Sequence, residues 1–334
     1  MKKNITGKIS LILLIFLAIG LLAVTGLAAD KNNSEKPVQI IYLVGGPAGG
    51  PFASVKAKGA KDAAKILGDK ANVKIRYGTW NPQNDAKLFQ ESIGMKPDGI
   101  AVIGWGAVEP FISEAVDKGI VVTTHNVDLP ELEEKYKAKG FGYVGQELYA
   151  SGHMLGAAAA KRSGLGEGDK ALVWGLKTEP VRGQRTQGAI DALKEAGLEV
   201  DHIEISAEVD KDPANGIPVI TGYLQSNPDT DLVITDHGAL TATQEEYFKS
   251  AGFGPDEIYG AGFDLSPATA RSIKSGYTDL TLDQQPYLQG FLPVFQVYLT
   301  AKYKFSGLHI DTGSGLVHAG NIDMIAPLVE KGIR

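Results

Sequence analysis

Hydrogen-bonding and aromatic residues recur in this sequence directly behind short β-rich apolar runs. The run 38–44 is followed by a loop of glycines and prolines that ends at Phe52, and the next two runs by Thr79-Trp80 and Gly104-Trp105. The fourth gives way to His125, Asn126, Val127 and Asp128. In the second half the corresponding places hold Gln146, Lys177, Ser206, Asp236-His237, Asp264 and Gln284-Gln285. Amides, carboxylates and Arg185 can satisfy several hydroxyls at once, because each hydroxyl both donates and accepts. Flat rings such as Phe52 and Trp105 can cover the apolar C–H face of a sugar. Shut away from water, each unpaired hydroxyl becomes costly, which lets such a residue set tell epimers apart. At any one position a helix cap or a satisfied loop group explains the residue; the recurrence along the chain is what points to a site.

Other motifs carry less. The loop 45–50 matches neither Gly-x-Gly-x-x-Gly nor a P-loop, and Pro47 within it and Pro51 behind it remove backbone donors, so it reads as a place of close backbone approach rather than a phosphate cradle. Asp311-Thr312-Gly313-Ser314 spells an aspartic-protease signature, but such an enzyme needs two aspartates together and the chain holds one copy. His125 and His237 stand at strand ends as candidate hydrogen-bonders, while His153, His202, His309 and His318 read as structural or surface residues. No histidine spacing suits a metal, and no Gly-x-Ser-x-Gly elbow appears. No cofactor is implied. There is no cysteine, which excludes disulfides, thiol catalysis and cysteine-held metal.

These residues need elements to hold them. Apolar runs of strand length alternate with amphipathic segments of helix length: 38–44 then 52–67, 73–77 then 84–93, 100–105 then 110–116, and 120–124. A polar excursion over 128–139 follows. The rhythm resumes with 141–145 and 149–162, 171–176 and 185–196, 200–205 and 217–225, 232–235 and 241–251, 258–263 and 267–274, then 280–282 and 288–303. Strands joined by helices and buried on both faces give parallel sheets. About nine such units exceed one ordinary open sheet, so two α/β lobes are expected, with a closed barrel as the structural alternative. Ligands of parallel α/β folds bind beyond the carboxyl ends of the strands, where the polar residues fall.

The first thirty residues narrow the setting. Lys2, Lys3 and Lys8 precede an apolar run over 9–24 and the small residues Gly26, Ala28 and Ala29, the pattern of a cleaved signal peptide over 1–29 with a solvated leader over 30–37. The protein is then exported, and without cysteine it has no lipid anchor. The formal charge of −6 becomes about −9 once those three lysines leave. An acidic chain without a basic cluster suits neither nucleic acid nor an anionic membrane surface.

The order and spacing of several segments resemble the type I periplasmic binding proteins, the ribose- and galactose-binding group of sugar-transport receptors. The resemblance runs from about Val38 to Tyr303. It is carried by Pro51-Phe52, 118–124 (KGIVVTT) before His125-Asn126, 142–146 (GYVGQ), 185–188 (RTQG), 235–237 (TDH), 260–264 (GAGFD) and 283–290 (DQQPYLQG). It implies two Rossmann-like parallel-sheet lobes joined by three hinge crossings near Gly145, Gln284 and Thr312, with a ligand cleft between them. The lobes would be 38–145 plus 284–312, and 146–283 plus 313–334. It further implies that Phe52 stacks on the sugar ring and that Asn126 or His125 binds hydroxyls. Gln146, Arg185, Asp236, Asp264 and Gln284 complete the implied set. The segment 49–53 (GGPFA) departs from the family's Asn-Asn-Pro-Phe-Phe, the fourth strand lacks an aspartate–arginine pair, and Asp236 replaces an asparagine; these count against ribose itself. Lys177 and Arg182, near Arg185, leave a phosphorylated or carboxylated sugar open, whereas Asp236 and Asp264 favour a neutral one. The expected protein is a periplasmic or otherwise extracytoplasmic monomer that captures a monosaccharide or polyol and delivers it to a membrane ABC permease, without changing a bond. The alternatives are a chemoreceptor or signalling-molecule receptor on the same fold and, in a different class, an exported α/β hydrolase.

Overall fold

The computed structural model describes residues 36–334, so the expected signal peptide and most of the leader lie outside the described residues. Two six-stranded sheets organise the chain. The first contains β1 (Val38–Leu43), β2 (Ala71–Arg76), β3 (Gly99–Ile103), β4 (Val121–His125), β5 (Gly142–Gly145) and β11 (His309–Asp311), ordered β11-β5-β4-β3-β1-β2 and parallel throughout. The second contains β6 (Lys170–Gly175), β7 (Glu199–Glu204), β8 (Leu232–Thr235), β9 (Tyr259–Phe263), β10 (Leu280–Asp283) and β12 (Gly315–His318), ordered β12-β10-β9-β8-β6-β7. Its edge strand β12 runs antiparallel to β10; the other pairs are parallel. The molecule is a two-lobe α/β protein with open sheets, not a closed barrel. The chain crosses between the sheets three times, after β5, after β10 and after β11.

Strand residues such as Ile40, Val102, Val122, Leu172, Ile234 and Leu282 are at most 1 % exposed, as sheets covered on both faces require. Helices α1 (Pro51–Leu67), α2 (Pro82–Gly94), α3 (Glu109–Asp117), α4 (Pro130–Tyr136) and, returning late, α12 (Pro286–Tyr303) belong to the first lobe. Most begin with proline in the first turn, where its fixed φ suits the helix and its missing N–H costs nothing. The second lobe carries α5 (Leu148–Ser163), α6 (Gln184–Glu195), α7 (Ala207–Lys211), α8 (Ile217–Ser226), α9 (Gly238–Thr241), α10 (Gln244–Ala251), α11 (Pro267–Lys274) and α13 (Ile322–Glu330).

Each lobe has one helix pair in unusually close contact. A Cβ on Gly290 of α12 would stand 1.9 Å from the Lys56 carbonyl of α1, and one on Gly188 of α6 would stand 2.3 Å from the Tyr149 carbonyl of α5. Only glycine permits these approaches.

The structure adds to the expected element list where pattern reading was weakest. The polar excursion contains α4, a short helix that buries Glu133 and Tyr136 and is too brief to show a period. The stretch 241–251 is broken into α9 and α10, and α7 caps the end of β7. The last residues form β11, β12 and α13, strands of three and four residues that leave almost no alternation to read.

Candidate ligand site between the lobes

In the first lobe, α1 begins at the end of the loop after β1 and carries Phe52 in its first turn. The half-buried Phe52 ring lies 5.9 Å from that of Trp80, a residue with φ of 57° behind β2. One turn along α1, Lys56 is fully buried beneath both rings, its Nζ 5.5 Å and 5.9 Å from their centroids. That ammonium donates to the Val44 carbonyl at 3.0 Å and meets His125 Nδ1 at 3.1 Å. Burial pulls the Lys56 pKa down to about 7, against the pull of Asp85. Asp85, on α2, accepts from Trp105 Nε1 at 2.9 Å, and burial raises its carboxyl to about 6 despite that bond.

His125, expected at the ligand, is surrounded by protein groups. It is 0 % exposed, its other nitrogen lies 3.0 Å from the Leu43 carbonyl, and its ring stacks on Tyr42. An Nδ1 that receives from Lys56 leaves Nε2 as the donor, so both ring nitrogens serve the protein. Burial, and then the neighbouring lysine, hold its pKa well below the ordinary imidazole value. His125 fixes Lys56.

Asn126 adopts a left-handed φ of 68°, and its Nδ2 donates to Gln284 Oε1 at 3.0 Å and Gln289 Oε1 at 3.2 Å. Gln284 stands on the second crossing and donates from Nε2 to Asp264 Oδ2 at 3.0 Å. A continuous chain of hydrogen bonds therefore runs from the end of β4 in one lobe to the end of β9 in the other. Gln289 Nε2 and Thr312 Oγ1 both donate to the Gln284 carbonyl, which ties the third crossing into the same network. Gln146, on the first crossing, is fully buried; its Oε1 accepts from Ser151, and its Nε2 has no hydrogen-bond partner among the described residues.

In the second lobe, Asp236 at the end of β8 is 1 % exposed and saturated. Oδ1 accepts from Arg182 Nη2 at 2.8 Å and Arg185 Nε at 2.7 Å; Oδ2 accepts from Arg182 Nη1, Thr186 Oγ1 and the Leu176 amide. Burial would raise this carboxyl, but Arg182, Arg185 and His237 together outweigh it and hold the group far below the carboxylate range. Asp236, expected as a ligand acceptor, has both carboxylate oxygens engaged by protein donors and organises the two arginines. Arg185 packs its guanidinium 4.2 Å from the Phe263 ring centroid, and burial, helped by Arg182, lowers its pKa to about 10. Asp264, with φ of 68°, is 7 % exposed and keeps Oδ1 without a partner among the described residues. Burial raises it to about 6, against Arg185 and Gln284. His237 Nε2 lies 3.4 Å from Asp210, while its buried Nδ1 has no partner among the described residues.

Between these polar ends sits an apolar cluster drawn from both lobes: Ile103, Val127 and Leu148, with Trp80, Trp105 and Val181 against it. The structure thus links Asn126 to Asp264 through Gln284. It sets Arg185 beside Asp236, places Phe52 over Lys56, packs Trp105 into the apolar cluster, and leaves acceptors or donors open on Gln146, His237 and Asp264. Lys56, Asp85 and Gln289 escaped the strand-end reading. Their signal was a polar residue inside an apolar helical stripe, as Lys56 among Ala53, Ala57, Ala60 and Ala63. Among the described residues no group of three His, Asp or Glu side chains is set to hold a metal ion, and no helix is long and apolar enough to cross a membrane.

Comparison with known proteins agrees with this architecture. Residues 41–304 match a family model described as periplasmic binding protein domain. The chain is 30 % identical over 250 residues to the xylose/arabinose-binding protein of Sulfolobus acidocaldarius, covering 70 % of this chain and 60 % of that protein. It is 26 % identical to the D-ribose/D-allose-binding protein of Pseudomonas aeruginosa over 53 % of this chain and 54 % of that one. The chain therefore spans less than two thirds of the length of these two relatives. Among solved structures, a carbohydrate transporter from Acidothermus cellulolyticus in complex with myo-inositol superposes with a TM-score of 0.75 at 24 % identity, over 89 % of this chain and all of that one. A solute-binding protein from Burkholderia graminis in complex with D-arabinose gives 0.73 at 22 %, over 86 % of this chain and 97 % of that one. Two parallel-sheet lobes with three crossings, and a family match over most of its length, place this chain in the periplasmic binding protein domain family.

Proposed function

We propose that this protein is an extracytoplasmic solute receptor that closes its lobes around one monosaccharide or polyol and presents it to a membrane ABC permease, leaving every bond of the ligand intact. One observation carries the reading: the hydrogen-bonded chain Asn126–Gln284–Asp264 joins the facing ends of the two sheets and leaves Asp264 Oδ1 open beside Arg185. A hydroxyl is the natural partner for a buried carboxylate oxygen and a guanidinium side by side. Phe52 and Trp105 supply flat apolar faces to the same cleft. The relatives named for xylose, arabinose, ribose and allose support an aldose, and the myo-inositol complex shows a polyol on this fold. The moving bodies are 38–145 with 284–312, and 146–283 with 313–334. The signal peptide over 1–29 directs export and is removed, and the mature protein acts as a monomer.

The test is titration calorimetry with D-xylose, L-arabinose, D-ribose and myo-inositol against wild type, Arg185→Ala and Asp264→Ala. A bound sugar should lose at least about tenfold in affinity in each variant, equivalent to one charge-assisted hydrogen bond. Wild-type curves from both variants would remove these residues from the site, and measurable turnover of a bound sugar would make the protein an enzyme.

A further inference from the structure

His309 reads from the sequence as a structural or surface residue, yet it stands where two crossings run side by side. It lies on β11, the last strand before the third crossing, and its register partner is Tyr143 on β5, the last strand before the first. Thr312 continues that contact by donating its amide to the Gly145 carbonyl at 2.7 Å. One ring nitrogen, Nδ1, meets Glu133 Oε2 at 2.7 Å. The other, Nε2, is in hydrogen-bond contact with Glu147 Oε1. Glu133 belongs to α4 of the first lobe; Glu147 caps α5, which packs on the second lobe's sheet and on α6. A doubly donating imidazolium is the one form of histidine that satisfies both carboxylates.

We propose that His309 is a positioning residue that clasps Glu147 of the second lobe to Glu133 of the first, so that proton uptake favours the closed receptor. The clasp presupposes the lobe closure proposed above and adds its regulation. The groups around His309 are those two glutamates, Asp128 behind β4, Lys137 at 3.8 Å from Glu133, the Tyr143 ring at 4.9 Å, and Asp311 on its own strand, whose Oδ1 accepts from the Glu147 amide at 3.3 Å. Carboxylates dominate. Burial alone would lower the imidazole pKa, but Glu133 and Glu147 outweigh it and raise it. Opening carries Glu147 away and lets the value fall back. Closure is therefore favoured most fully below the ordinary imidazole value and loses this contribution as pH rises through the raised one.

Because the chain holds no cysteine, two can be introduced for spin labels at exposed positions on opposite lobes, Glu109→Cys and Ala207→Cys. The inter-label distance distribution of the ligand-free full chain is then followed from about pH 6 to about pH 9. Asp85, Asp264 and Lys56 titrate in the same window inside the cleft, so the assignment rests on the difference between wild type and variants. The ratio of short to long distances should fall about fivefold on raising pH in wild type, the ceiling for a partly exposed pair. Most of that change should vanish in both His309→Gln and Glu147→Gln. Glu147→Gln leaves the His309–Glu133 pair in place, so a fold defect from losing the ring does not mimic the result. A flat wild-type profile, or a profile that both variants retain, overturns the clasp. Adding D-xylose or L-arabinose at constant pH tests closure separately: if sugar shortens the distance and pH does not, the clasp fails and the receptor reading stands.

Discussion

At Asp236 five donors from four residues converge on one carboxylate buried to 1 % exposure. Removing it strands two buried guanidinium groups, and breaking a buried pair in this way costs far more than the pair contributes net. Asp236→Ala should lose about 3–5 kcal/mol in urea unfolding, and a loss under about 1 kcal/mol would show that water reaches the arginines and screens them. Asp264 behaves oppositely. Its carboxyl is raised to about 6, so the fold disfavours the ion and pays least when the group is neutral. Its share of stability is greatest below the ordinary carboxylate value and declines as pH rises through about 6. Asp264→Asn keeps an oxygen for Gln284, and should be more stable than wild type by about 1–3 kcal/mol near pH 8, with the gap closing near pH 4. Equal stability at both pH values would show that Asp264 is not buried in solution. The sequence made Asp264, Gln284 and Asn126 legible because each follows an apolar run, whereas Arg185 sits inside a helix and came from the resemblance alone. It could not show that His125 and Asp236 are spent on protein partners, since saturation depends on Lys56 and Arg182, which approach from other elements.

Elements place these groups through close helix contacts. Gly188 lies one turn beyond Arg185 on α6, and its contact with the Tyr149 carbonyl sets the height of that helix over α5. Gly188→Ala forces the helices apart, and overpacking of this kind costs about 1–3 kcal/mol. Because Arg185 rides on the same helix, sugar affinity should fall along with Tm; unchanged Tm and affinity would mean that α6 shifts freely. The alternation of apolar runs with helical stripes made about nine βα units readable from 38 to 303, because long periodic segments have few competing interpretations. Short pieces did not share that advantage. The strands β11 and β12 exist because β5 and β10 offer open edges, a fact held by distant sequence. The left-handed residues Asn126, Asp264 and Gln285 all fall at the cleft or on a crossing, and local preference does not announce them.

For the whole molecule the account makes one claim, that two lobes shut a neutral sugar away from water. Anything that binds only the folded, closed form raises apparent stability by mass action. The most direct measurement is a thermal-shift series on the purified protein with pentoses, hexoses, polyols, sugar phosphates, nucleosides and amino acids. At about a thousand times Kd a true ligand adds roughly 4 kcal/mol. The account predicts that shift for one neutral monosaccharide or polyol and its near epimers. A shift with an amino acid or nucleoside, and none with any sugar or polyol, would contradict it.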